Sequence, residues 1–228
     1  MHTRASKIIL DPGNLSVTDV NRLTRQIGNR CYAVIVDHQQ DLMGGNIVHE
    51  LSQAGAQRVW VNVALHDKPE VAARRARALA KRGARIITVH ASGGLDMMEA
   101  VVDAVAGDNG YSPAIYAVMP TIGPEEFSRI YGGYLSLTDV IFRLTPIVRE
   151  AHVDGIVCRP EYVKILSAHP AFAGWIVADL TDKNCAMTPR QAIEEGADYI
   201  IIGHQVTGAE YPERAFDDIE TAICPHMG

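Results

Sequence analysis

The chain has no apolar run long enough to cross a membrane, and its first ten residues, MHTRASKIIL, lack the apolar core of a secretion signal, so a cytoplasmic protein is expected. Basic residues are scarce: 21 Lys and Arg stand against 27 Asp and Glu, for a formal charge of -6. That balance disfavours nucleic-acid partners, which demand concentrated cations. The one basic cluster, Arg74, Arg75, Arg77, Lys81, Arg82 and Arg85, has the spacing of a solvated helix face. Four cysteines, Cys31, Cys158, Cys185 and Cys224, lie far apart with no C-x-x-C pair, which excludes a disulfide scaffold or zinc spacing and leaves idle thiols in a reducing compartment. No G-x-G-x-x-G run follows the first strand, so a dinucleotide fold is not indicated. With no Pro- or Ser-rich linker and no short repeat, residues 1–228 read as a single domain.

What is present is best read from residues 58–98. Val59, Trp60, Val61, Val63 and Leu65 form a nearly continuous apolar run, as in a strand covered on both faces, which Asn62 interrupts and His66 and Asp67 close. Pro69 suits a first helical turn, Val71, Ala72, Ala76, Leu79 and Ala80 follow at helical spacing, and Gly83 stops the helix. Residues 85–90 then form a second buried strand that delivers His90, Ala91 and Ser92 to the same end of the sheet before Gly93 and Gly94.

The same unit recurs along the chain. Strands are predicted at 7–10, 31–36, 114–119, 155–158, 175–178 and 199–202 besides these two. Helices are predicted after Ser16 or Thr18, and at 46–54, 95–106, 137–151, 160–168, 190–195 and 212–223, with a short one opening at Pro124. Thr188 followed by Pro189 reads as an N-cap and first-turn proline, and 203–210 as a loop. Eight strands alternating with helices over 228 residues fit a (β/α)8 TIM barrel better than an open sheet.

In a barrel the groups beyond the strands converge on one face. They are Asp11, Asp37, Asn62, His66, Asp67, His90, Ser92, Thr121, Arg159, Asp179, Lys183, His204 and Gln205. Gly203 to Gly208 carries most weight among them, because a glycine loop after the last strand exposes backbone N–H groups where barrels commonly hold phosphate, and His204 and Gln205 add side-chain donors. His66 and Asp67 are adjacent and so point in different directions, which assigns one of them a structural role. Asp11, Asp67 and Asp179 are the carboxylates that a magnesium ion would use, but their spacing does not require one; neither a metal nor a cofactor is expected.

Four stretches, LHDKP, VHASGGLDMM, DGIVCRPEYV and MTPRQAIEEGADYIIIGHQVTGA, resemble the orotidine 5′-monophosphate decarboxylase family in its own order. The resemblance implies a TIM barrel, a homodimer with shared active sites, and a pyrimidine nucleotide ligand. It places Asp11 against the ribose and Thr121 against the pyrimidine. The family's D-x-K-x-x-D strand motif reads here Asn62-Val63-Ala64-Leu65-His66-Asp67, keeping only the second aspartate, which the family contributes across the dimer. The second-strand lysine of the family falls near Val34, and the arginine after the last-strand glycine is His204, which cannot form a bidentate fork. The loop from Asp179 to Ala186 is also shorter than the family's phosphate-gripping loop.

Three readings follow. The first is a diverged, lyase-like enzyme acting on a nucleotide or phosphorylated sugar, with Asp67, His66 and Asn62 as reacting or polarising groups, Asp11, His90, Ser92 and Thr121 binding substrate, and Gly203, His204 and Gln205 binding phosphate. The second is a non-catalytic binding or regulatory homologue. The third is a working decarboxylase with Lys68 or Lys183 as substitute cation, although Lys68, directly after Asp67, is expected to face away.

Overall fold

Eight parallel strands close on themselves in sequence order, β1 (Ile8–Leu10), β2 (Ala33–Val36), β3 (Val59–Leu65), β4 (Ile86–His90), β5 (Ala114–Val118), β6 (Gly155–Cys158), β7 (Trp175–Asp179) and β8 (Tyr199–Ile202), with β8 pairing back to β1. This is the (β/α)8 barrel. It was obtained as a computed structural model that describes residues 6–107, 112–133 and 135–223; Cys224 lies outside the described residues.

The helices between the strands are α1 (Val17–Ile27), α2 (His38–Met43), α3 (Asn46–Gln53), α4 (Pro69–Lys81), α5 (Leu95–Val105), α6 (Pro124–Tyr131), α7 (Leu137–Glu150), α8 (Val163–Ser167), α9 (Pro189–Glu194), α10 (His204–Thr207) and α11 (Pro212–Ile223). Ser16 caps α1 by accepting the Asp19 N–H, and Thr188 with Gln191 forms a reciprocal capping box ahead of Pro189. Gly83 takes φ +92° just beyond α4, a left-handed stop that a side chain would strain. Two elements depart from expectation. The polar run after β2 winds into α2 because Asp37 accepts the His38 N–H, and the loop after β8 contains the single turn α10 because the Val206 and Thr207 N–H groups both return to the Gly203 carbonyl.

Alternation along the strands sorts their residues into two layers. Ile9, Ala33, Ile35, Trp60, Ile86, Tyr116, Val157, Val177 and Ile201 fill the barrel interior, where Trp60 meets Tyr116 edge-on at 5.0 Å between ring centroids. Leu10, Val34, Val36, Val61, Leu65 and Val89 belong instead to the larger cluster shared with the helices. The interior is therefore packed solid, and chemistry is confined to its C-terminal mouth. Strand starts are fixed by a repeated latch. Asp154, just before β6, accepts the Ile115 N–H at 2.7 Å, and Asp198, just before β8, accepts the Ile176 N–H at 2.9 Å, which satisfies donors that would otherwise be orphaned.

Cys31 and Cys158 are buried free thiols, and burial pushes Cys31 up to about 12 and Cys158 higher still, so both remain protonated and inert. Arg74, Arg75, Arg77, Lys81, Arg82 and Arg85 are exposed along and just beyond α4, as a solvated face should be. No helix among the described residues is long and apolar enough to cross a membrane.

Candidate active site at the barrel mouth

The interior register fixes which strand-end residues face the mouth. Counting in twos from the interior layer, Ile9 leads to Asp11, Ile35 to Asp37, Trp60 to Asn62, Ile86 to Thr88 and His90, Val157 to Arg159, Val177 to Asp179 and Ile201 to Gly203. The mouth thus carries three carboxylates, an amide, an imidazole and a guanidinium. Val34 is the exception among the expected positions: it is fully buried against the helices, so the inward residues of β2 are Ile35 and Asp37, and a lysine at 34 would not reach the mouth.

The acidic side of the mouth is built on β1, β2 and β7. Asp11 donates its backbone N–H to Ile202 O at 2.8 Å and accepts the Gly13 N–H at 2.8 Å. Burial, reinforced by Asp37 and Asp179, raises its carboxyl above the usual range, against the opposing pull of the Gly13 bond and His38. Asp37 pairs with the His38 ring at 2.8 Å, and Asp179 accepts from the Thr181 hydroxyl at 2.6 Å. Gln39, 1% exposed, donates to Gly13 O and Leu15 O and so ties the β2 turn to the β1 turn. Among the described residues no three His, Cys, Asp or Glu side chains are grouped so as to hold a metal ion.

The β3–β4 side is organised by a bulge. Val61 pairs with Ile87 but Leu65 with Val89, so β3 inserts two extra residues, and Ala64 within them takes φ +39°. Thr88, fully buried on β4, bridges the bulge: its hydroxyl oxygen accepts the Ala64 N–H at 2.8 Å, and its O–H donates to Asn62 Oδ1 at 3.0 Å. Beyond the bulge, His66 and Asp67 stand exposed on the rim. Asp67 turns one oxygen onto the Lys68 N–H at 2.7 Å, while His66 Nε2 lies 3.3 Å from Ser92 Oγ. Ser92 Oγ in turn sits 2.6 Å from His90 Nδ1, and the two imidazole rings are 5.4 Å apart. Burial, followed by the charge of His66, lowers the His90 pKa, so it is neutral at pH 7.

The last-strand loop adjoins Asp11, with Gly203 close to the Asp11 carbonyl. Its donors are partly engaged within the fold: the Gly203 N–H donates to Gln205 Oε1 at 3.0 Å, and Gln205 Nε2 donates to Leu180 O at 2.7 Å. His204 keeps a buried Nδ1 with no hydrogen-bond partner among the described residues.

Two cavities share Thr121, one of them reaching round to Asp179 on the acidic side. One, of about 370 Å³, is lined by Arg159, Asp179, Thr181, Asn184, Cys185 and Met187 among others; its Arg159 pairs with Glu161 at 2.6 Å. The other, of about 540 Å³, has a polar floor of His90, Ser92 and Thr121 beneath apolar walls that include Phe127, Ile130 and Leu144. Hence Asp11 and Gly203 occupy one side of the mouth, Asn62, His66, His90 and Ser92 gather at β3–β4, and Thr121 lines both cavities. Thr88 and Gln39 were not among the strand-end candidates. A threonine inside an apolar strand run is an ordinary β-former, and nothing local marks its hydroxyl as a bridge.

A sequence model described as the "Orotidine 5'-phosphate decarboxylase / HUMPS family" matches residues 16–219. The orotidine 5′-phosphate decarboxylase of Actinobacillus pleuropneumoniae serotype 5b is 31% identical over 190 residues, 79% of this chain and 82% of that protein. That of Pseudoalteromonas translucida is 30% identical over 190 residues, 79% and 80% respectively. Among solved structures, an uncharacterized conserved protein from Geobacillus kaustophilus superposes with a TM-score of 0.82 at 26% identity, covering 95% of this chain and 99% of that one. Orotidine 5′-phosphate decarboxylase from Lactobacillus acidophilus has the same fold, with a TM-score of 0.82 at 23% identity over 95% and 98%.

Proposed function

The chain belongs to the orotidine 5′-phosphate decarboxylase / HUMPS family, and from that premise we propose that it is a lyase-type enzyme acting on a pyrimidine nucleotide or phosphorylated sugar by chemistry other than ordinary orotidylate decarboxylation. The carrying observation is the ring of inward groups at the mouth: Asp11, Asp37, Asn62, His90, Arg159 and Asp179 stay polar, yet the inward positions of β2 and β3 hold Ile35, Asp37, Asn62 and Ala64 and no lysine. A carbanion forming at a substrate carbon needs a nearby cation to stabilise it and an acid to protonate it. At the family's motif positions this chain offers an amide and a methyl group. Lys68 follows Asp67 on the exposed rim and Lys183 is exposed on the loop after β7, neither at an inward strand position, which supports setting aside a substitute-lysine decarboxylase.

In this reading Asp11 takes a sugar hydroxyl, and Asn62, with His66 and Asp67 at the rim, polarises the reacting end. His90, Ser92 and Thr121 line the base or keto side, and the loop from Gly203, through the backbone N–H groups of His204 and Gln205 at the start of α10, takes the phosphate. A homodimer is part of the proposal, since Asp67 is exposed and the resemblance places it in a neighbouring subunit's site. The experiment is twofold. Orotidine monophosphate should lose absorbance no faster with enzyme than without, whereas uridine monophosphate or ribose 5-phosphate should bind saturably, with loss of binding in Asp11→Ala. Enzyme-dependent decarboxylation would overturn the altered chemistry, and failure of both phosphates to bind would leave the non-catalytic reading. Light scattering at micromolar concentration should give twice the chain mass, and a monomer mass would remove the shared site.

A further inference from the structure

We propose that Thr88 is a positioning residue that fixes the polarity of the β3 end, so that Asn62 presents its NH2 group, a hydrogen-bond donor, to an acceptor oxygen of the ligand. The inference rests on the reading of the mouth as the substrate site and adds the chemical character of the ligand edge that meets β3.

Thr88 is 0% exposed, so water cannot complete its bonding, and its oxygen already accepts the Ala64 N–H at 2.8 Å. Its own O–H therefore needs an acceptor, and among the described residues Asn62 Oδ1 at 3.0 Å supplies it. Turning the Asn62 amide over would aim a second N–H at the same oxygen and leave a buried hydroxyl proton with no acceptor. The amide is thus held one way round, and its Nδ2 has no protein partner among the described residues. The same hydroxyl holds the Ala64 backbone at φ +39°, a conformation that an L-residue keeps only when its surroundings impose it. One buried hydroxyl consequently sets both the bulge and the donor.

The consequence is a division of the mouth. Asp11, Asp37 and Asp179 offer acceptors, suited to hydroxyl groups, whereas Asn62 offers two N–H bonds. A carboxylate at position 62 would offer only acceptors there, so the amide reverses the requirement from a donor on the ligand to a carbonyl, carboxylate or enolate oxygen. A ligand with a hydroxyl edge on the β1 and β7 side and an acceptor oxygen toward β3 satisfies both halves.

The test uses the full-length chain, 15N-labelled, with the Asn62 side-chain amide assigned by its disappearance in Asn62→Asp. Amide exchange at Ala64 should speed up at least tenfold in Thr88→Val and stay within about twofold of the parent in Thr88→Ser, which keeps the hydroxyl. On titration with uridine monophosphate, the Asn62 Nδ2 resonance should move in the parent and in Thr88→Ser. In Thr88→Val it should stay still, and the nucleotide should bind about tenfold more weakly. If Thr88→Val does not fold, Thr88→Ala against Thr88→Ser gives the same comparison. Unchanged Ala64 exchange without the hydroxyl overturns the positioning role, and nucleotide binding that leaves the parent Asn62 amide unmoved overturns the donor role. If no protein binds the nucleotide while the Ala64 exchange behaves as stated, the positioning role stands and it is the nucleotide reading that fails.

Discussion

Rebuilding the family's charged network distinguishes the mouth-facing residues from the helix-facing ones by stability alone. Ala64→Lys puts an ammonium into a mouth that already holds Asp11, Asp37 and Asp179. At an effective dielectric near 20 and a separation of about 6 Å, one such attraction is worth about 3 kcal/mol, offset by about 2 kcal/mol of lost lysine rotamer freedom. The variant should therefore lie within about 1 kcal/mol of the parent. Asn62→Asp alone adds a fourth carboxylate and should cost about 1–2 kcal/mol. Combined, the two should be more stable than their sum by about 1.5–3 kcal/mol, the range for residues in one charge network. Val34→Lys is the contrast. Val34 is 0% exposed among apolar side chains, so its ammonium would be forced neutral; a depression of about three pKa units is about 4 kcal/mol, a large part of a domain's whole stability. Urea denaturation of the parent and the four variants at pH 7 measures all these terms. Equal stability of Val34→Lys and Ala64→Lys, or strict additivity of the 62/64 pair, would refute the assignment of inward and outward faces.

Further outcomes follow from the same geometry. Because the Asp11 pKa is raised in the folded state, its ionisation opposes folding. The cost appears as pH rises above the unfolded value near 3.8 and is complete above the folded pKa; Asp11→Asn should stabilise the protein at pH 7 and flatten that stretch of the stability curve. His90 behaves oppositely. Its folded pKa lies below the ordinary histidine value of 6.5, so its contribution is intact at pH 7 and is lost as pH falls from there through the folded pKa; His90→Asn should lessen the acid-side fall in melting temperature. Ala64→Gly should raise the urea midpoint or leave it unchanged, since relief of about 1–2 kcal/mol of left-handed strain outweighs the roughly 0.5–1 kcal/mol entropic loss of a glycine; a lower midpoint would mean that the bulge is unstrained.

The strands and helices were legible because each is a local pattern. The apolar runs that became β3, β4 and β8 have the composition of doubly covered strands, and Thr188-Pro189 and Gly83 punctuate helices through their own backbone preferences. Asp11, Asn62, His90 and Asp179 could be named as strand-end groups for the same reason, because closure of a parallel barrel sends every strand end to one face. Which side of the strand each residue occupied was less secure, and Val34 shows why. A side chain's direction reverses with a shift of one residue, and only pairing with β1 and β3 set that register. The bulge in β3, the hydroxyl of Thr88 reaching 26 positions along the chain to Asn62, and the capture of the Gln205 amide by Leu180 are long-range hydrogen bonds with no local signature. The sequence by itself determined the barrel and the polar character of its mouth, because strand composition and alternation suffice for both. Only the tertiary structure decided which groups face one another and which donors are already taken, because those depend on register between strands far apart in the chain.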